Sequence, residues 1–502
     1  MLRFEVYNDG QPARQIDLGG GYVFGQDTIP VRADLAVQDG SITCLKRVPG
    51  ACGLAMKWSS GTAGEFLLNT PRLPERKEPY NLNLELARHR LGRLVQKRED
   101  WGLFDYRDAA PLNEDLHTVR SQFVDALNTS DPGRAARIAD RALANAIILG
   151  EKMALFHGEI LLRRRSGTRN NPPLFGCRTD LLSSGEDYLA ALKETFDFLS
   201  VPMPWKHIEP KEHTFRYAQI DRWVNWAARN RKVLYGGPLL SFEPEGLPQW
   251  LYIWEHDYEA LRDLIYEHIQ RSVSRYKNQV RVWKVVSGIH AFNSFDMSFE
   301  QLMELTRMSC LLVKKLAPRS RVMIELVQPW GEYYSRNQRS IPPLLYADMA
   351  VQSGIKFDAF GVRLFMGVPV DGYYVRDLMQ ISSLLDEFVG FGKAVHVTGV
   401  QVPSETTADA WDAWSGKKPI PKAGRWHQPW SQRLQAEWLQ AFYRVAMSKP
   451  YVESVCWEDL ADYEGHHVPH GGLLQNNMQP KLAYRELRNF KARLRGGNGD
   501  RG

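Results

Sequence analysis

Arg281-Val282-Trp283-Lys284-Val285-Val286-Ser287-Gly288-Ile289-His290-Ala291-Phe292-Asn293 is the stretch on which the fold turns. Val282 to Val286 is a short apolar run of the length of a buried strand. A helix-like stretch, Tyr258 to Tyr276, precedes it and ends in basic and polar residues. Ser287-Gly288 closes the strand, at the place where a parallel barrel opens its active site. Outward from this point, from about residue 167 onward, short apolar runs alternate with helical patterns. The candidate strands end near Cys177, Met203, Leu240, Val286, Leu326, Leu364, Val400 and Trp457. Eight strand–helix units in this span predict a (β/α)8 TIM barrel with enlarged loops.

The preceding chain has a different period. Residues 1–80 are rich in glycine and in strand-like alternation, as in Leu2 to Tyr7, Val31 to Val37, Ser41 to Arg47, Gly53 to Trp58 and Glu65 to Asn69. Turn residues such as Asp39-Gly40 and Ser60-Gly61 separate them, and a small β-sandwich is expected. Its role is open between carbohydrate binding and packing or assembly. Residues 81–166 read as a helical connector, with Leu82, Leu84, Leu86, Leu91 and Leu94 at helical spacings and a long amphipathic helix from Pro132 to Arg165. A turn-rich boundary follows Ser166, the barrel is expected over 167–495, and the tail 496–502 is expected to be disordered.

The central stretch resembles the strand-four signature of family-10 glycoside hydrolases, the xylanases, which reads Trp-Asp-Val-Val-Asn-Glu. The matching residues are Trp283, Lys284, Val285, Val286, Ser287 and Gly288. Phe175-Gly176, Met203-Pro204-Trp205, Glu209-Pro210 with Phe215, Asp221 to Ala228, Pro248-Gln249-Trp250 and Tyr276 to Val280 resemble further family motifs in order. So do Trp457 with Asp459, Gly472-Leu473-Leu474 and Pro480 to Tyr484. The resemblance covers the barrel and implies a saccharide in its cleft, with Trp205, Arg363, Trp330, Trp457 and Asp459 as candidate substrate-binding residues.

The departures fall at the sugar-cleaving subsite. The family's general acid/base Glu corresponds to Gly288. Its nucleophile, in Ile-Thr-Glu-Leu-Asp on strand seven, corresponds to Gly399 in Val397-Thr398-Gly399-Val400-Gln401. The strand-three His and Trp become Gly237 and Ser241, and the strand-six Gln and His become Arg363 and Phe365. Retaining hydrolysis needs two carboxylates about 5–5.5 Å apart, and glycine supplies neither. The chain therefore carries the family's frame with a divergent centre.

Two other carboxylates sit at strand ends. Glu325 closes strand five and Glu458 follows Trp457 on strand eight, three strands apart around the barrel, as the family's catalytic strands are. They are the candidate catalytic residues if chemistry has relocated; the competing reading pairs each with an arginine such as Arg363. His466, His467 and His470 lie in the loop after strand eight near Asp462 and Glu464, and could act as acid/base groups or ligands, or form a solvated loop. Trp205, Trp330, Tyr333, Tyr334, Tyr373, Tyr374, Trp426 and Trp430 fall in or near strand-end loops, where rings stack on sugars or pack the core.

Composition narrows the function classes. The net charge of +6 comes from mixed acidic and basic residues, and the one dense basic run, Arg163-Arg164-Arg165, suits a helix end, so neither nucleic acid nor membrane is an expected partner. The first residues lack the apolar core of a signal peptide, and the five cysteines lack metal-ligand spacing, which predicts free thiols, no metal, no cofactor and a cytoplasmic setting. Three functions follow as expectations. The first is a saccharide-binding barrel without the usual xylanase carboxylates. The second is a glycoside hydrolase or lyase with relocated groups, and the third is an intracellular scaffold.

Overall fold

The computed structural model describes residues 1–38, 40–166 and 174–496. Asp39 of the Asp39-Gly40 turn, the turn-rich boundary after Ser166 and the tail after Gly496 lie outside the described residues.

Eight parallel strands form a closed ring. Barrel strand one is Leu174–Arg178, two Phe198–Val201, four Val282–Ser287, five Arg321–Leu326, six Ala359–Phe365, seven Ala394–Gln401 and eight Val452–Trp457. Strand three is broken into Val233–Gly236 and Leu240–Ser241. Strand one pairs with two and with eight, so no edge is left. Strand three closes onto four twice, through Tyr235 opposite Val282 and Leu240 opposite Val286. The predicted (β/α)8 barrel is present, with strand two ending at Val201 rather than Met203.

The runs of Val, Ile, Leu and Phe that make these strands are buried on both faces, as a parallel sheet wrapped by helices requires. Inside the barrel, Phe198, Tyr235, Val282, Met323, Ala359 and Cys456 form one apolar layer. That layer closes the lower barrel, where His396 packs edge-on against Tyr235 and pairs with the Ser454 hydroxyl at 2.7 Å.

The N-terminal strands form two larger sheets and a two-stranded one, Tyr7–Asn8 with Gln11–Pro12. Tyr80–Asn81, Leu2–Glu5, Ser41–Lys46 and Ala33–Gln38 make the first, in that order. The second runs Arg425–Trp426, Gly64–Asn69, Gly53–Ser59, Tyr22–Phe24, Pro30–Val31. Its outer strand, Arg425–Trp426, comes from the loop after barrel strand seven and pairs antiparallel with Glu65 and Gly64. Alternation within residues 1–80 could not disclose a strand supplied from beyond residue 400.

Three helices follow: α1 (Leu82–Asp100), α2 (Ala110–Leu127) and α3 (Pro132–Ser166). Asn81 caps α1 by accepting the Leu84 N–H. The helices dock on the barrel through buried ion pairs. Arg90 of α1 forks onto Asp377 at 2.9 and 3.0 Å. Lys449, Lys97 and the Trp101 indole N–H converge on Asp386. Among the described residues no helix is long and apolar enough to cross a membrane.

Candidate active site at the barrel mouth

Side chains two apart on a strand share a face. The inward series that places Met323 and Ala359 in the apolar layer therefore brings Glu325 and Arg363 to the upper end. Cys456 likewise leads to Glu458. Lys284 lies 3.7 Å from Glu325, and the Ser287 hydroxyl donates to Glu325 at 2.5 Å. Arg178, at the end of strand one, meets Glu458 at 3.2 Å and Asp459 at 3.5 Å. Asp459 also accepts from Gln401 at 2.8 Å and Tyr463 at 2.7 Å. Arg363 pairs at 2.6 Å with Glu243, in the loop after strand three.

The two glycines differ in kind. Gly288 has φ +64° and opens a tight turn in which Ala291 and Phe292 donate to its carbonyl. That left-handed backbone disfavours any side chain. Gly399 is not strained, but a β-carbon added there would lie 2.6 Å from Glu458 Oε2. Glu458 thus fills the space that a strand-seven side chain would take. At Gly288 the corresponding point is 3.1 Å from Val327 Cγ2 and 3.2 Å from Phe292 Cδ2, with Glu243 Cγ in contact at 3.6 Å.

The candidate carboxylates are driven in opposite directions. Burial raises Glu458, and Asp459 adds to the rise; Arg178 and Arg363 offset only part of it, leaving its pKa at about 7. Burial acts in the same sense on Glu325, but Lys284, Arg363 and the Ser287 hydrogen bond outweigh it and lower the pKa to about 2. Near neutral pH the mouth therefore holds one carboxyl partly protonated and one firmly ionised.

The aromatic residues divide. Trp205 is 2 % exposed, stacks on His268 at 4.4 Å and donates to Glu209. Trp457 is fully buried and donates to the Gly471 carbonyl. Both rings are packed into the barrel wall, with little surface open to solvent. Trp330 lies under the Arg376 guanidinium, beside the buried Arg376–Glu332 pair. Tyr374 joins Tyr22 and Phe24 in a cluster with the sandwich. Trp426 is a sandwich strand residue whose indole donates to Glu151 of α3 at 2.7 Å. Trp430 is buried, and Tyr333 is buried with its hydroxyl on the Ile341 carbonyl. Loops expected to line the mouth are thus partly used to dock the sandwich. Of the expected binding residues, Arg363 and Asp459 remain at the mouth. Tyr373 does too, packed on Phe365 at 5.5 Å, while Tyr334 lines a separate groove of about 560 Å³ between the loops after strands four and five.

The histidines separate as well. His466 is buried against Asp409 at 2.5 Å, and His470 meets Thr407 and Glu405. His467 stacks on Phe365 at 6.2 Å, and burial lowers its pKa. Among the described residues no group of three or more His, Cys, Asp or Glu could hold a metal ion.

Comparison with known proteins adds the lineage. Residues 174–308 match the model of glycosyl hydrolase family 10. Over that stretch, which holds barrel strands one to four, the chain is similar to family-10 glycoside hydrolases. An endo-1,4-beta-xylanase of Agaricus bisporus is 33% identical over 132 residues, 25% of this chain and 38% of that protein. Endo-1,4-beta-xylanase B of Thermotoga neapolitana is 27% identical over 108 residues, 21% of this chain and 31% of that protein. These matches thus span about a third of the length of those relatives. The crystal structure of native xylanase 10B from Thermotoga maritima aligns with a TM-score of 0.49 at 16% identity, covering 68% of this chain and 98% of that one.

Within the barrel, reading the sequence missed three mouth residues. Arg178 and Glu243 were not singled out, although Phe242-Glu243-Pro244-Glu245 places two carboxylates directly after strand three. Trp414, whose indole donates to the His467 carbonyl at 3.1 Å and which packs on the Phe365–Tyr373 cluster, was also missed.

Proposed function

We propose that the barrel mouth is a saccharide-binding cleft without the double-displacement chemistry of retaining xylanases. The observation that carries this reading is the pair Gly288 and Gly399. One is held by its backbone turn and the other is crowded by Glu458, so neither position can present a carboxylate. The remaining groups suit hydroxyl recognition: carboxylates accept from sugar hydroxyls, arginines donate to them, and the Tyr373 and Phe365 rings supply an apolar wall. Five buried free cysteines support a reducing, cytoplasmic setting. A panel of neutral xylo-, cello- and manno-oligosaccharides, read by saturation-transfer NMR, tests the reading. Binding without release of reducing ends from xylan is the expected result, and robust xylan cleavage abolished by a mouth substitution would overturn it.

A second reading, a glycoside hydrolase or lyase with relocated groups, draws on the opposed protonation of Glu458 and Glu325. Glu458 would donate its proton to the departing glycosidic oxygen as the C–O bond breaks, Glu325 would stabilise positive charge developing on the sugar ring, and water would add to the anomeric carbon and return a proton to Glu458. Under this reading Glu458→Gln and Glu325→Gln each lower turnover by orders of magnitude on whichever panel sugar is cleaved while binding survives. Retention of turnover by both variants would exclude it.

A further inference from the structure

The carboxylate that accompanies Glu458 at the mouth is not the one strand order suggests. Glu325 lies beneath Ser287 and Lys284 with its side chain 3% exposed. Glu243 comes from the strand-three loop, has its side chain 15% exposed and reaches the space before Gly288. Glu458 occupies the space before Gly399. Arg363 ties the two sides together: its guanidinium holds Glu243, and its Cγ lies 3.3 Å from where a β-carbon on Gly399 would be.

We infer that Glu243 and Glu458 form a carboxylate pair that clasps one unit of a neutral saccharide, Glu243 from the strand-four side and Glu458 from the strand-seven side. The inference rests on the saccharide-binding reading above and assigns its contacts. Each glutamate stands where a strand-end carboxylate of the family would project, but on a neighbouring element. Charge decides the ligand class. Arg178 is matched by Glu458 and Asp459, Lys284 by Glu325 and Arg363 by Glu243. Among the described residues, the cations in contact with Glu243, Glu325 and Glu458 are each paired with a carboxylate, which disfavours a uronate or phosphate between them, whereas carboxylate oxygens retain lone pairs for hydroxyl donors. Glu245, exposed beside Glu243, further disfavours an anionic sugar.

The test uses the full chain and the neutral oligosaccharide panel, with carbodiimide and glycinamide labelling of carboxyl groups read by peptide mass spectrometry. Glu243, the most exposed of the three, should label and be protected by a bound saccharide, while Glu325 should not label. Glu243→Gln and Glu458→Gln should each weaken binding at least tenfold, with the remote Glu437→Gln unchanged. Glu243→Asp keeps the charge beside Arg363 and shortens the reach, so it should bind weakly while melting like the wild type. If a saccharide binds but Glu243→Gln and Glu243→Asp bind it as well as the wild type does, the pair is wrong and the cleft reading stands. If no panel sugar binds the wild-type chain, the cleft reading fails and the pair falls with it.

Discussion

At the scale of single residues, the mouth is packed around two glycines, Gly288 and Gly399. Gly399→Ala places a methyl 2.6 Å from Glu458 Oε2. Because the obstructing atom ends a flexible side chain, we expect Glu458 to swing away, with saccharide binding reduced and the melting temperature lowered by only a few degrees. Calorimetry with a panel sugar checks this. Titration gives a second expectation. Between its ordinary value of 4.5 and its native value of about 7, native Glu458 keeps a proton that the unfolded chain releases, so its contribution makes stability fall as pH rises across that window. Glu325 has the opposite sign: its contribution is complete above 4.5 and is lost as pH falls from there towards 2. Melting curves from pH 3 to 8 should show Glu458→Gln flattening the fall between 4.5 and 7, and Glu325→Gln removing part of the acid loss.

At the scale of elements, the strand Arg425–Trp426 and helix α1 join parts of the chain that are distant in sequence. Trp426 is nearly buried, completes a sheet whose other strands lie before residue 70, and donates to Glu151. Trp426→Ala should lower stability by about 3–5 kcal/mol through cavity formation and the lost hydrogen bond, measured by chemical denaturation. The Arg90–Asp377 pair is 6% and 0% exposed. Removing one partner strands a buried charge, so Arg90→Met should cost about 3 kcal/mol or more. Asp377 also caps the helix Leu378–Glu387, so Asp377→Asn, which keeps a capping oxygen, should recover part of that loss in the double variant.

At the scale of the whole molecule, sandwich, helices and barrel share one apolar core that runs from Leu2 and Phe4 through Leu86 and Ile147 to Trp438 and Phe490. Interfaces built as continuous core couple their parts cooperatively. We expect one unfolding transition, coincident by tryptophan fluorescence and far-ultraviolet circular dichroism; two separated transitions would show that the sandwich unfolds alone. All five cysteines are buried as free thiols, so the transition should not move with reductant.

The sequence by itself determined the barrel, most of its strand ends and the glycines at 288 and 399, because strands buried on both faces read as short apolar runs and motif order is linear along the chain. It also brought Glu458 and Arg363 forward, since both stand at strand ends. What fills the vacated space was decided only by tertiary structure. Glu458 reaches Gly399 from the next strand, and Glu243 reaches Gly288 from a loop, and residue spacing carries no record of such reach. The aromatic loops were ambiguous for the same reason. Pattern shows that Tyr374 and Trp426 seek burial, but only packing shows that the sandwich and α3, rather than a sugar, cover them.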